Sequence, residues 1–346
     1  MSMKAKILEL LREKKDRVAA GAPESEAYVS GQELCEQFGV SRTAVWKAIG
    51  QLKKEGYVIE AVQNRGYRLL DQTEEVYNQA DIQSRLKTKW VAHPLQFFDS
   101  IDSTNIRAKL EAEQGAESGL LVVSDMQSAG RGRRGRGWES PAGTNIYYTL
   151  MLKPDFSSDC APMLTLVMAL AVAKGIRQTL RCDSEEAAAK VGIKWPNDIV
   201  VDGKKVCGIL TEMSAQMDYV NHIVIGIGIN VHNESFPEEI APVATSLYME
   251  TGEHFNRAAL IEEVWEQFEH YYAIFMETED LSGLVKEYDA HLVNRNQIVK
   301  VLDPKEPFEG KAMGITPRGE LIVDTWESRR LVSAGEVSVR GVYGYV

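Results

Sequence analysis

The sequence predicts an α+β chain in three parts: a winged helix-turn-helix, a central mixed α/β domain and a small C-terminal β domain. Three observations carry this. Residues 1–70 read as three amphipathic helices followed by two short strands. Residues 78–290 alternate apolar strand-like runs with helical stretches. Residues 291–346 hold only short β runs broken by turn residues. A polar stretch, 71–77, reads as the linker between the first two parts.

In the first part, Ile7, Leu8, Leu10 and Leu11 make one stripe of a helix expected to end near Lys15. Ser30 with Glu33 three residues on is a capping box for a second helix, which places Leu34 and Phe38 inward and stops at Gly39. Ser41 caps a third helix, buried through Val45, Ile49 and Leu52. Its outward residues are Arg42, Thr43, Trp46, Lys47 and Gln51, types that reach base edges and phosphates in a major groove. Tyr57–Ala61 and Tyr67–Leu70 then read as strands of a wing with Arg65 at its tip. DNA binding is the expectation for Arg42, Thr43, Trp46, Lys47 and Arg65; a plain protein-interaction module is the alternative.

Charge supports that expectation locally. The chain has 39 Lys plus Arg against 50 Asp plus Glu, net −11. Residues 1–70 carry 12 basic and 9 acidic side chains, net +3, which leaves −14 on the remainder. Phosphate attraction depends on where the charge sits, so an acidic total excludes only a general polyanion binder. A composition of 44% hydrophobic and 26% charged residues excludes wholesale disorder. No run approaches the roughly 18 consecutive apolar residues of a membrane span, and Lys4, Lys6 and Glu9 make the N-terminus unlike a secretory signal. Cys35, Cys160, Cys182 and Cys207 are far apart and lack ligand-like spacing, so free thiols are expected, with no zinc site or disulfide framework. The expected setting is cytoplasmic.

The central part has strand candidates at Leu95–Phe98, Gly119–Asp125, Thr144–Leu152, Val191–Trp195, Lys205–Met213 and His222–Val231. Leu164–Gln178 reads as a buried helix with Ala-rich spacing, and Ala258–Phe275 as an amphipathic one. Gly130-Arg-Gly-Arg-Arg-Gly-Arg-Gly137 contains a literal G-x-G-x-x-G, but Trp138-Glu-Ser-Pro141 and a strand follow it where a dinucleotide fold needs a helix. Four arginines among glycines fit a mobile loop that closes over phosphate, the guanidiniums donating and the glycines permitting close approach. A solvated basic loop or an extra DNA contact is the competing reading. In Lys194-Trp-Pro-Asn-Asp198 a lysine closes an apolar strand before a proline turn, which points the ammonium toward a site at a strand end, although this pentapeptide alone fits a surface lysine before a turn better. Asn197 and Asp198 are placed to orient Lys194 or to hold a metal-bound water. Ser103-Thr104-Asn105 alone is only a helix N-cap, and Gln127 alone is ambiguous. Gly226-Ile-Gly-Ile-Asn230 ends a strand with glycines, which suits close approach of a ligand or helix.

Taken in order, Ser103-Thr104-Asn105, Gln127-Ser-Ala-Gly130, the Arg-Gly loop, Lys194–Asp198, Gly226–Val231 and Gly335-Glu-Val-Ser-Val-Arg340 resemble the biotin–protein ligases of the bifunctional type that also represses the biotin operon. The resemblance spans the whole chain. It implies a class II synthetase/biotin–lipoate ligase-like central domain and an SH3-like C-terminal β-barrel. It also implies ATP and biotin as substrates, Mg²⁺ on the phosphates, biotinyl-5′-AMP as intermediate, and transfer of biotin to a lysine of a biotin carboxyl carrier protein. By the same match, biotin would be held by Ser103, Thr104, Asn105, Gln127, Arg131, Gly132, Arg133 and Lys194. ATP or the adenylate would meet Arg133, Arg134, Arg136, Trp138, Lys194, Asn197 and Asn230, with Lys194, Arg131 and Arg133 catalytic. Relatives place a tryptophan on adenine near the segment that here reads Val243-Ala-Thr-Ser-Leu247; this chain has none there, which leaves Trp138 as the candidate. Operator DNA and a homodimer are the implied partners, and no membrane. The competing functions are a DNA-binding biotin or adenylate sensor without ligase activity, and a nicotinamide-dependent oxidoreductase.

Overall fold

The computed structural model describes residues 1–346 except 72–73, 182–183, 217–218, 304, 335–337 and 342–344. Cys182 and residues 335–337 of the Gly335–Arg340 motif therefore lie outside the described residues. The chain forms two compact units, Met1–Leu86 and Lys87–Val346.

The first unit opens with α1 (Met3–Ala19), capped by the Ser2 hydroxyl on the Ala5 N–H. It runs past Lys15, where the sequence placed its end, because nothing before Gly21 and Pro23 interrupts a helix. Helix α2 (Gly31–Phe38) has Ser30 accepting from the Glu33 N–H at 3.0 Å and ends on Gly39 in the left-handed conformation. Ser41 caps α3 (Arg42–Lys54) through the Ala44 N–H. Strands β1 (Ile59–Val62) and β2 (Gly66–Leu69) pair antiparallel, each displaced by a residue or two from its expected range. Val29 adds two backbone bonds to Tyr67, so the wing is anchored to the segment before α2. The core joins Ile7, Leu8 and Leu11 to Leu34, Val45, Ile49, Leu52 and Ile59. Helix α4 (Gln79–Gln83) belongs with this unit, although the sequence reading counted residue 78 onward with the central domain. Buried Asp81 explains it, forming ion pairs with Arg12 and Arg85 and accepting from Tyr57.

The second unit is built on a seven-stranded sheet. In chain order its elements begin with β3 (Leu95–Phe98), α5 (Thr104–Glu113), β4 (Leu120–Ser124), β5 (Ile146–Leu152), α6 (Met163–Arg181) and α7 (Glu185–Ala189). They continue with β6 (Val191–Lys194), β7 (Asp198–Val201), β8 (Lys204–Gln216), β9 (Tyr219–Ile229), α8 (Leu247–Thr251), α9 (Arg257–Thr278) and α10 (Val285–His291). The strand order is β3-β4-β5-β9-β8-β7-β6, antiparallel except for the β3–β4 pair. Successive residues Tyr148 and Thr149 face opposite sides of the sheet. Tyr148 packs against Trp265 of α9 with the rings tilted, while Thr149 bonds to Thr104 and Asn105 of α5. Helices α6 and α9 cross closely enough that a Cβ on Gly175 would lie 2.7 Å from Val264. Helix α6 is long and apolar enough to cross a membrane, but most of it is buried in this core.

The C-terminal strands β10 (Ile298–Leu302), β11 (Phe308–Ile315), β12 (Leu321–Asp324), β13 (Arg329–Val332) and β14 (Ser338–Gly341) form an antiparallel sheet in the order β13-β12-β11-β10-β14. Among the described residues β13 and β14 do not pair, so no closed barrel is formed. This sheet is stitched to the end of β6: the Val293 N–H donates to the Ile193 carbonyl, the Trp195 N–H to Asn294 Oδ1, and the Trp195 indole to the Gly319 carbonyl.

Candidate active site

The tight turn Trp195-Pro196-Asn197 puts Lys194 and Asp198 directly opposite each other at the head of β6 and β7. Cross-strand partners share a face. The row continues through Gly208, Gly228 and Tyr147; one row further along β9, Leu210, Gly226 and Thr149 lie side by side. These two rows floor a cavity of about 900 Å³.

Glycines in both rows are there for their missing Cβ. One on Gly226 would sit 2.0 Å from Asn105 Oδ1, and one on Gly228 2.6 Å from the Trp138 indole. Of the two readings of this strand, close approach of a ligand or of a helix, the structure shows the helix: Asn105 of α5 comes against Gly226, and Trp138 against Gly228.

On the α5 side, Ser103 stands at the N-cap but its side chain makes no capping bond; it is buried and lines the cavity. Gln127 Oε1 accepts from the Thr104 N–H at 2.9 Å and its hydroxyl at 3.1 Å, and Gln127 Nε2 donates to Ser140. The Asn105 amide is fixed at both ends: Oδ1 accepts from Thr149 at 2.7 Å and Nδ2 donates to Glu212 at 2.8 Å. Lys109 takes the other Glu212 oxygen at 2.6 Å. Burial works against the charge on Glu212, but Asn105 and Lys109 hold it below the usual carboxylate range.

Residues 130–138 form a small hairpin. Gly132 N–H donates to the Arg136 carbonyl, Arg131 bridges to Gly137, and Trp138 N–H returns to Gly130. Arg134 and Gly135 take positive φ at its tip, and a Cβ on Gly130 would strike the Trp138 carbonyl at 2.4 Å. The dinucleotide fingerprint is excluded by this geometry, since a turn and then β5 follow the glycines. Arg131, Arg134 and Arg136 are exposed on the cavity wall, whereas Arg133 reaches inward and donates to Asn197 Oδ1 at 2.6 Å.

Lys194 is only 5% exposed. Burial pushes its pKa down to about 8; Lys205, Arg340 and Arg133 push the same way and Asp198 opposes them. Asp198 is also buried, yet Lys205 and Lys194 keep it below the usual range. Its Oδ1 takes Lys205 Nζ at 2.6 Å and Asn197 Nδ2 at 3.1 Å, and its Oδ2 takes the Tyr345 hydroxyl at 2.5 Å. Asn197 is oriented by the same group: its amide donates to Asp198 and to the Ile209 carbonyl, and its oxygen accepts from Arg133. Asn230 donates to the Thr245 carbonyl, tying the segment after β9 to the cavity rim.

The cavity therefore collects all the expected ligand residues. It also adds Lys205 and Tyr345, while Thr149 and Glu212 fix Asn105 from behind; sequence reasoning missed all four because only sheet register and the C-terminal return bring them in. In the first unit, Arg42, Thr43, Trp46, Lys47 and Arg65 are all exposed, Trp46 by 69%. Arg65 stands over the Tyr28 ring at the wing tip, and Arg42 is held by Gln32.

Comparisons with known proteins agree with this geometry. Residues 97–230 match the biotin/lipoate A/B protein ligase family, residues 24–68 an HTH domain, and residues 296–340 the biotin protein ligase C-terminal domain. The chain is 38% identical over 330 residues to the bifunctional ligase/repressor BirA of Bacillus spizizenii, covering 94% of this chain and 98% of that protein. It is 30% identical over 313 residues to BirA of Escherichia coli, covering 90% and 92%. In structure it is similar to the Aquifex aeolicus biotin protein ligase solved in complex with biotin and ATP, with a TM-score of 0.62, 29% identity, and 71% and 98% of the two chains covered. The likeness read from the ordered motifs is borne out from end to end, and the chain belongs to the family of bifunctional biotin–protein ligase/repressors.

Proposed function

We propose that this chain joins biotin to ATP, transfers the biotin to a lysine of a carboxyl carrier protein, and represses biotin genes through its winged helix. The observation that carries the enzymatic half is one cavity with two unlike walls. Small, fixed amide and hydroxyl groups stand on the α5 side, and Lys194 with the Arg-Gly hairpin on the other.

The first wall suits the ureido ring, whose buried donors and acceptors all need partners. Ser103, Thr104, Asn105 and Gln127 are the assigned partners, and Gly132 brings backbone close to the carboxylate end. In the first step a carboxylate oxygen of biotin bonds to the α-phosphorus and pyrophosphate leaves. Two anions must meet, so cations at the reacting centre offset both the repulsion and the developing charge. Lys194, Arg131 and Arg133 take that role. Arg134, Arg136, Asn197 and Asn230 are assigned to the nucleotide, with the Trp138 indole as the apolar face for adenine. In the second step the carrier amine bonds to the acyl carbon, AMP leaves, and the amine proton is lost. The mixed anhydride is already activated, so no serine or cysteine nucleophile is needed.

Mg²⁺ is assigned to the substrate, as MgATP. Among the described residues no three His, Cys, Asp or Glu side chains gather, and both oxygens of Asp198 are engaged by protein partners. The donor set does not fit a resident ion, and no step is routed through one.

We assign the first unit, which takes in residues 1–70, the stretch 71–77 and α4, to DNA binding, residues 87–290 to ligation, and 291–346 to a small SH3-like β domain that helps close the site. A homodimer on a palindromic operator and a cytoplasmic location complete the reading. Incubating the purified chain with biotin, MgATP and a carrier domain tests the enzyme. Carrier biotinylation supports it; adenylate binding without transfer favours the sensor. Fluorescence anisotropy on the biotin operon region, with and without biotinyl-5′-AMP, tests the repressor, and unchanged affinity would sink it.

A further inference from the structure

A carboxylate directly opposite a lysine on paired strands ordinarily captures it. Here Asp198 does not capture Lys194. Its Oδ1 is taken by Lys205 and Asn197, and its Oδ2 by the hydroxyl of Tyr345, the penultimate residue of the chain. Among the described residues Lys194 Nζ makes no hydrogen bond or ion pair; it faces the Tyr345 ring, 4.1 Å from the centroid. A ring face attracts an ammonium without occupying its three N–H donors as a carboxylate would. The side chain is therefore held, yet its donors remain free for an incoming oxyanion.

We propose that Tyr345 is a positioning residue for Lys194 in adenylation, its ring holding the ammonium and its hydroxyl keeping Asp198 from taking it. The inference rests on the ligase reading above. Two further observations bear on it. The C-terminal residue is docked as well, since a Cβ on Gly203 would lie 3.3 Å from Val346, so Tyr345 lies on a seated segment. And the charged groups around Lys194 come from every side: Asp198 from β7, Lys205 from β8, Arg340 from β14 and Arg133 from the hairpin. Three of these are cations. Releasing Asp198 toward Lys194 would change the balance of charge on the ammonium, and admitting water where the ring stands would act in the same direction.

The test uses the full chain and two substitutions, Tyr345→Phe and Tyr345→Ala, with initial rates of pyrophosphate release measured with biotin and MgATP across the pH range that titrates a lysine. Tyr345→Phe keeps the ring and frees Asp198 Oδ2. It is expected to lower kcat roughly threefold, and Tyr345→Ala roughly tenfold or more. In both, the alkaline limb of the profile moves to higher pH, because an ammonium paired with Asp198 and better hydrated gives up its proton less readily. KM for biotin stays within about twofold, since Tyr345 touches none of the Thr104, Asn105 or Gln127 network. A wild-type rate in Tyr345→Ala overturns the proposal. So does a lower rate with the alkaline limb unmoved, or losses in both variants that follow a lowered Tm, each of which makes Tyr345 merely structural. Absence of pyrophosphate release in the unsubstituted chain overturns the ligase reading instead, before either variant is compared.

Discussion

At the residue scale, the role proposed for Lys194 turns on whether it is charged. Its pKa near 8 means the ammonium is present below that value and lost as pH rises through it. Adenylation should therefore fall on the alkaline side with a midpoint near 8, read as kcat/KM for ATP from pyrophosphate release. Lys194→Ala should remove at least about 100-fold of the rate at neutral pH, and Arg133→Ala a comparable share. Unchanged rates in both would sink their assignment. Gly226 makes a second case. An alanine there meets Asn105 Oδ1 at 2.0 Å and must push the amide off Thr149 and Glu212. Gly226→Ala is expected to weaken biotin at least roughly tenfold by calorimetry, with little loss of adenine nucleotide binding. The arginines stood out locally, as guanidiniums among glycines, whereas Lys194 beside a proline turn reads alone as a surface lysine and became a candidate only through the order of the motifs. Ser103, Thr104 and Asn105 did not stand out either, since the same three residues make an ordinary helix start. Only the absence of a cap bond from Ser103 and the double anchoring of Asn105 separate a ligand wall from a helix end.

At the element scale, capping chemistry and period located most helices and strands, and their misplaced ends have simple causes. Helix α1 outran its expected stop for want of a breaker. Strand β7 was missed because it starts at Asp198, inside a segment that reads as turn, and is only four residues long. Helix α5 was reduced to its cap because its mixed Arg, Lys and Glu positions show little apolar stripe. The wing shows the opposite case, in which a single residue decides an element. Gly66 has a φ of +114°, and a Cβ there would lie 2.1 Å from the Val29 carbonyl that bonds to Tyr67. Gly66→Ala adds left-handed strain to that clash and should destabilise the first unit by about 2–4 kcal/mol. Chemical denaturation of residues 1–86 checks the magnitude. In the full chain, operator affinity should fall while pyrophosphate release persists, and equal losses of both would refute the separation.

At the scale of the whole molecule, net charge is a poor guide to partners and local placement a good one. The −11 total covers a basic helix and wing in the first unit, and in the second a cationic centre of Arg131, Arg133, Arg134, Arg136 and Lys194. Both centres are suited to phosphate, one in a duplex and one in a triphosphate. What no local pattern could reveal is that the cavity wall bearing Lys194 is completed by residues far along the chain. The C-terminal sheet was legible only as a run of short strands; that Asn294 and Gly319 hold Trp195, and that Arg340 and Tyr345 lie around Lys194, follows from tertiary return alone. This dictates the outcome of removing residues 293–346. Two buried donors of Trp195 lose their acceptors, each costing about 1–3 kcal/mol, and Gly192 loses the Val293 side chain packed against it. The end of β6 keeps its pairing with β7 but loses this support on its other side, and Lys194 gains water on the side the ring now covers. The truncated chain should lose most adenylation, by at least about 100-fold, because misplacing a cation by an ångström removes most of its effect on the transition state. It should still bind operator DNA, since Met1–Leu86 carries its own core. Pyrophosphate release and operator anisotropy measured on the same preparation check both halves, and full ligation by the truncated chain would show that the C-terminal sheet has no part in the site.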